Sequence, residues 1–200
     1  QNPKTKENCE DMGYMFSHML VVKELDLKNF NTENVTSMKN MFWYCRKATV
    51  IDVSNFNTEN VMNMWSMFCS CNCVEKLELS NFNTSKVTSM YCMFDYCGEL
   101  TSLDLHNFNT SNVTDFGYMF EDCAKLESID ISNFDTSKAT NVEKMFALTP
   151  KLNRIKVGEK TNKCAFDSSM FDEIGFGGKL SYPASCDYSQ WLGALAPFGW

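Results

Sequence analysis

TSLDLHNFNTSNVTDFGYMFEDC, residues 101–123, is one turn of a pattern that returns along the chain every 26 residues. Its Met119-Phe120 pair recurs upstream as Met93-Phe94, Met67-Phe68, Met41-Phe42 and Met15-Phe16, and downstream as Met145-Phe146. Its Asn107-Phe108-Asn109-Thr110 recurs from Asn29, Asn55, Asn81 and Asn133, with Asp135 replacing Asn in the last copy. No insertion or deletion breaks the beat. A strict period of this length marks units that cannot bury their apolar faces alone and must stack on their neighbours.

Aligned in columns of 26, the copies read L-x-L-x-N-F-N-T-x-x-V-T-x-M-x-x-M-F-x-x-C-x-x-L, as from Leu25 to Ala48, where Ala48 fills the last place. The alternation at Leu25/Leu27, Ile51/Val53, Leu77/Leu79, Leu103/Leu105, Ile129/Ile131 and Ile155/Val157 has period two. It predicts six short strands, each with one buried face. Met38, Met41, Phe42 and Cys45 stand at i, i+3, i+4 and i+7, the stripe of a short helix. Thr36 or Ser37 would cap that helix, and the Asn-Phe-Asn-Thr segment between strand and helix reads as a turn. Stacked strands lie about 4.8 Å apart, whereas stacked helices need about 8–10 Å. The array should therefore curve. The expected fold is an α/β solenoid, a leucine-rich-repeat horseshoe with parallel strands on the concave face and short helices on the convex face.

Residues 1–158 hold the six 26-residue repeats, and 159–200 a degenerate seventh turn plus a C-terminal cap. Met170-Phe171 precedes Leu180 and Tyr182 by the same interval that separates Met145-Phe146 from Ile155 and Val157, with one residue dropped overall. Beyond it, Pro183, Tyr188, Trp191, Leu192, Leu195, Phe198 and Trp200 supply a bulky apolar plug of the kind a repeat array needs at its end. Residues 1–8 read as too polar to cap the other end, which predicts that the natural protein continues upstream. Gln1 is not a translation start, so the chain reads as a mature or trimmed form.

Leucine, aspartate, leucine followed by Asn-Phe-Asn-Thr-Ser, Asn-Val-Thr and Met-Phe resembles the BspA-like leucine-rich-repeat proteins of bacterial surfaces. Residues 101–123 carry the resemblance most fully, and it extends over about residues 10–158. The tail Lys179-Leu-Ser-Tyr-Pro-Ala-Ser-Cys-Asp-Tyr-Ser-Gln-Trp is similar to the closing segment found after such arrays. The resemblance implies a secreted or surface-attached protein used for adhesion or protein binding, without enzymatic activity. It assigns no residue-level site.

A content of 44% hydrophobic and 22% charged residues fits a folded domain, and the longest apolar run is far short of a membrane span. A net charge of −7 argues against a sequence-independent grip on nucleic acid. His18 and His106 occupy different columns, and no nucleophile-base pair, zinc motif or phosphate loop is legible. The chain is expected to be a non-enzyme without cofactor or metal. Of ten cysteines, Cys45, Cys71, Cys97 and Cys123 share the inward column, and Cys9 and Cys164 fall in the column of Val35. These six read as reduced core thiols. Cys69, Cys73, Cys92 and Cys186 fall in polar columns and read as outward, either free or with Cys69 or Cys73 bridged to Cys92.

Two surfaces could bind. Asp26, Asp52, Glu78, Asp104 and Asp130 stand between the apolar pairs of successive strands, a concave acidic strip suited to a basic or host-matrix protein segment. Trp43 and Trp65 are expected to be at least half exposed on the helical face, with Tyr91 in the column of Trp65, where the three would anchor a protein or stack on a glycan. The leading expectation is an extracellular or cell-surface adhesion and protein-binding module. The alternatives are a carbohydrate-binding module on those aromatics and a structural spacer.

Overall fold

The computed structural model describes residues 9–164 and 166–200, so the expected uncapped segment 1–8 lies outside the described residues. Strand β1, Glu24–Leu25, pairs in parallel with β2, Val50–Ile51. Strands β3, Ser128–Ile131, β4, Arg154–Val157, and β5, Lys179–Ser181, form a second parallel sheet in that order. The register advances by one repeat, Leu25 opposite Ile51 and Ile129 opposite Ile155, and then by one residue less, Ile155 opposite Leu180. Parallel bridges also join Asp11, Ser37, Asn63, Ser89, Asp115 and Asn141 in succession. Each repeat therefore lies on the next.

In the middle repeats Leu77, Leu79, Leu103 and Leu105 are buried, with Glu78 and Asp104 exposed between them, but no strand ladder forms there. The carbonyls of Leu27, Val53, Leu79 and Leu105 instead accept from the side-chain amides of Asn55, Asn81, Asn107 and Asn133 in the following repeat, at 2.9–3.1 Å. The same amides donate to Phe30, Phe56, Phe82 and Phe108, which closes the bend. Two residues further, Thr32, Thr58 and Thr84 each use a single hydroxyl twice. Thr58 donates to the carbonyl of Asn83 and accepts from its amide, at 3.0 and 2.7 Å. These threonines are inter-repeat clamps, buried throughout.

The expected short helices are replaced. Met38, Met41, Phe42 and Cys45 are all fully buried, but residues 38–45 run as overlapping turns. In a helix the Phe42 amide would bond four residues back. Here Met38, Asn40, Phe42 and Tyr44 donate to Asn63, Trp65, Met67 and Cys69 of the next repeat, at 2.8–3.0 Å. The alternate residues Met41, Trp43 and Cys45 donate three residues back. Asn40 and Tyr44 sit at φ 55° and 63°, and the same two columns are left-handed in every later repeat through Lys144 and Leu148. A left-handed residue every fourth position brings i, i+3, i+4 and i+7 inward just as a helix does. Because both walls of the stack are now hydrogen-bonded at strand spacing, the mismatch invoked for a curved horseshoe with a convex helical face is absent.

Inside, Phe16, Phe42, Phe68, Phe94, Phe120, Phe146 and Phe171 form one column of parallel rings, with centroids 5.5–5.9 Å apart and planes within 10°. Trp191, on the helix α1 at Ser189–Leu195, closes the column edge-on against Phe171 at 5.2 Å. Trp200 lies flat over Gly178, where a Cβ would stand 2.3 Å from the ring, and donates to the Gly175 carbonyl. The thiols of Cys45, Cys71, Cys97 and Cys123 each donate to the carbonyl of a ring-bearing Phe one repeat back, at 3.0–3.3 Å. All ten cysteines are free thiols, and Cys69 and Cys92, expected outside, are buried.

The left-handed columns hold no glycine, and a left-handed L-residue costs roughly 1–2 kcal/mol. Glu173, exposed at φ 55°, is the place to relieve that cost without touching the core. Glu173→Gly is expected to raise stability by about 0.5–1 kcal/mol after the entropic penalty of glycine, measured by urea denaturation. A loss of stability would refute the strain.

Candidate functional site

The alternation that buries Leu and Ile places one acidic residue per repeat on the opposite face. Asp26, Glu78, Asp104 and Asp130 are exposed and Asp52 is half-buried. Four of the five bond locally to the residue two positions on. Asp26 accepts from the Lys28 amide, and Asp52 from the amide and hydroxyl of Ser54, at 3.1 and 2.6 Å. Asp104 meets the amide and ring Nδ1 of His106, and Asp130 the amide and hydroxyl of Ser132. Glu78 pairs with Lys76 beside it.

These bonds stabilise the charged form. The Ser54 hydroxyl and amide hold Asp52 below the usual carboxylate range, and the His106 ring and amide do the same for Asp104. Partial burial pushes Asp130 up, but Lys156 at 2.8 Å and Ser132 outweigh it, and the net shift is downward. A row of like charges at strand spacing would repel. Here each carboxylate has a hydrogen-bond or ion-pair partner within its own repeat, and Lys156 ends the row. Between Asp104 and Asp130 lies a cavity of about 140 Å³ lined by Leu103, Leu105, His106, Ser132 and Asn133.

The aromatics form two clusters rather than one. Trp65 is 39% exposed, and Tyr91 and Trp43 are half-buried, so Trp43 and Trp65 are both less open than expected. Trp65 meets Tyr91 edge-on at 5.4 Å, and the Lys39 ammonium sits 4.0 Å over the Trp65 ring. Trp43 packs with Tyr14, His18 and Tyr44 in the first two repeats, and Arg46 lies over Tyr44 at 4.4 Å. The rings cover one another, and the cations occupy faces that a sugar would need.

A third constellation carries no sequence signal. Asp95 is 7% exposed and Glu121, in the same column one repeat on, is 8% exposed. Cys69 donates to Asp95 Oδ2 at 3.5 Å, Cys92 faces the same carboxyl, and Asp95 Oδ1 has no hydrogen-bond partner. Burial, then the charge of Glu121, pushes Asp95 up to about 7. Burial also pushes the Cys69 thiol up to about 12, and Cys92 higher still. These thiols are protonated donors, not nucleophiles. The column looked polar and hence exterior. Nothing in Trp43, Cys69, Asp95, Glu121 and Ala147 announces that four of its five members are buried.

Among the described residues no group of three or more His, Cys, Asp or Glu is placed to hold a metal ion, and no helix is long and apolar enough to cross a membrane. No curated protein and no solved structure matches the chain. The profile of one family, described as "Mycoplasma protein of unknown function, DUF285", matches twice, over residues 10–105 and 75–179. Both matches are built on the repeated columns described above and together reach across most of the 200 residues, so the chain belongs to the DUF285 family.

Proposed function

We propose that this chain is a repeat-built, non-enzymatic protein-binding module displayed outside the cell, a stacked solenoid that uses its acidic column to hold a basic protein segment. The BspA-like surface proteins that the repeat resembles support this reading. The observation that carries it is the row Asp26, Asp52, Glu78, Asp104 and Asp130, one carboxylate per repeat, exposed except at half-buried Asp52 and flanked by apolar residues that are all buried except Leu25. Lowered values at Asp52, Asp104 and Asp130 keep that row charged well below neutral pH. The cavity between Asp104 and Asp130 has the size and lining for one Lys or Arg side chain, apolar on its walls and anionic at its rim.

The triple variant Asp52→Asn, Glu78→Gln, Asp104→Asn tests this. Binding to arginine- and lysine-rich matrix proteins should weaken at least about tenfold and lose most of its salt dependence. Unchanged binding removes the acidic column from the function. The carbohydrate reading on Trp43, Trp65 and Tyr91 gains no support from rings that are edge-packed and capped by Lys39.

A further inference from the structure

The face made by the Met-Phe turns carries a charge pattern that is opposite at its two ends. One column runs Lys39, Trp65, Tyr91, Gly117, Glu143, each joined to the next through the backbone bonds of Asn40 to Trp65, Ser66 to Tyr91, Cys92 to Gly117 and Tyr118 to Glu143, at 2.8–2.9 Å. A cation stands at one end, a carboxylate at the other, and Tyr91 in the middle. Among the described residues Lys39 has no ion-pair partner and rests on Trp65, while Glu143 accepts only the Tyr118 hydroxyl among side chains, at 2.6 Å. The column at Tyr44, Ser70, Tyr96, Asp122 and Leu148 is similarly arranged about Tyr96, which is 43% exposed.

We propose that this turn face is a self-association surface, on which a second copy of the chain packs antiparallel about a two-fold axis passing beside Tyr91. A two-fold lying in the interface and perpendicular to the stack keeps every column facing itself and reverses its order. Lys39 then faces Glu143 of the second copy, and Trp65 faces the half-buried Asn141 amide that covers Gly117. Tyr91 meets Tyr91, and in the neighbouring column Tyr96 meets Tyr96, Ser70 meets Asp122 and Tyr44 meets Leu148. The two Lys39–Glu143 pairs are related by the axis, so each dimer holds both. A parallel arrangement would set Lys39 on Lys39 and Glu143 on Glu143, which like-charge repulsion disfavours. Four repeat steps at about 4.8 Å give a face roughly 19 Å long, so the interface is small and its charge pairs matter to its register.

Sedimentation velocity of the whole chain over a concentration series tests the proposal. The wild type should shift from monomer to dimer, with a dissociation constant that rises with salt. Lys39→Glu and Glu143→Lys, each shown by circular dichroism to melt like the wild type, should weaken dimerisation at least about tenfold. The double variant should recover to within about threefold of wild type, because the swap re-forms both pairs. A wild type that stays monomeric at every concentration overturns the proposal. So does a dimer that neither single reversal weakens, or a double variant no better than the singles. The acidic strip lies on a different face, so its triple variant should dimerise as the wild type does.

Discussion

Phe94→Ala is expected to lower the unfolding free energy by about 3–5 kcal/mol. Its ring is fully buried and stacks on Phe68 at 5.9 Å and on Phe120 at 5.8 Å, in the middle of the seven-ring column. Truncation removes two inter-repeat contacts and leaves a cavity that neither neighbour can enter, since each is held by its own inter-repeat amide bond. Stability in such an array is close to a sum of nearest-neighbour couplings. Removing the middle ring should therefore also loosen the link between the halves of the chain. Trp43 and Trp65 report on one half, and Trp191 and Trp200 on the other. In urea, fluorescence of variants retaining only one pair should show transitions that coincide in the parent and separate in Phe94→Ala. Phe16→Ala is the contrast, because Phe16 is half-exposed and stacks on Phe42 alone within the column. It should cost distinctly less. Equal losses for the two would mean that the column is not the spine of the stack.

The periodicities show which side chains face inward, but not the backbone that carries them there. Met38, Met41, Phe42 and Cys45 are buried as their spacing requires. Yet a chain of turns with a left-handed residue every fourth position and a true helix repeat at nearly the same interval, so the stripe cannot separate them. The usual marker of left-handed backbone, glycine, is missing from both columns, which hold Asn40, Ser66, Cys92, Tyr118 and Lys144, and Tyr44, Ser70, Tyr96, Asp122 and Leu148. Inter-repeat hydrogen bonds stabilise that conformation where local preference would not. Cys69 and Cys92 read as outward because their columns hold polar residues such as Asp95 and Ser66, yet those polar residues are themselves buried. The acidic column was legible because strand alternation survives even where the ladder does not, as at Leu77, Glu78 and Leu79. Asp95 and Glu121 were not, because residue type alone predicts that carboxylates face water.

Those two carboxylates give the second large effect. Stability of the wild type relative to Asp95→Asn should fall as pH rises from about 4 to about 7, by a difference on the order of 3 kcal/mol. Asp95 is raised in the folded state to about 7, first by burial and then by the charge of Glu121. In the unfolded chain it titrates near 3.9. Below that value both states hold the proton and the group contributes nothing to the difference. Between the two values only the folded state keeps the proton, at a growing cost relative to an unfolded chain that has released it, and above about 7 the penalty is complete. The hydrogen bonds from Cys69 and Cys92 offset it only in part. Cys69 and Cys92 are neutral donors, Tyr96 and Asp122 sit beside it, and Lys144 reaches only Glu121, at 3.9 Å. Asparagine keeps an oxygen for the two thiols and removes the titration, so Asp95→Asn should be the more stable protein at neutral pH and the two should converge near pH 4. The lowered carboxylates Asp52, Asp104, Asp130 and Asp135 act in the opposite sense, contributing stability that is lost as pH falls through their folded-state values. Being common to both proteins, they cancel in the difference. Urea denaturation of the pair across this range measures it directly, and a difference that is flat with pH, or that grows toward acid, would show that Asp95 titrates as an ordinary surface carboxylate.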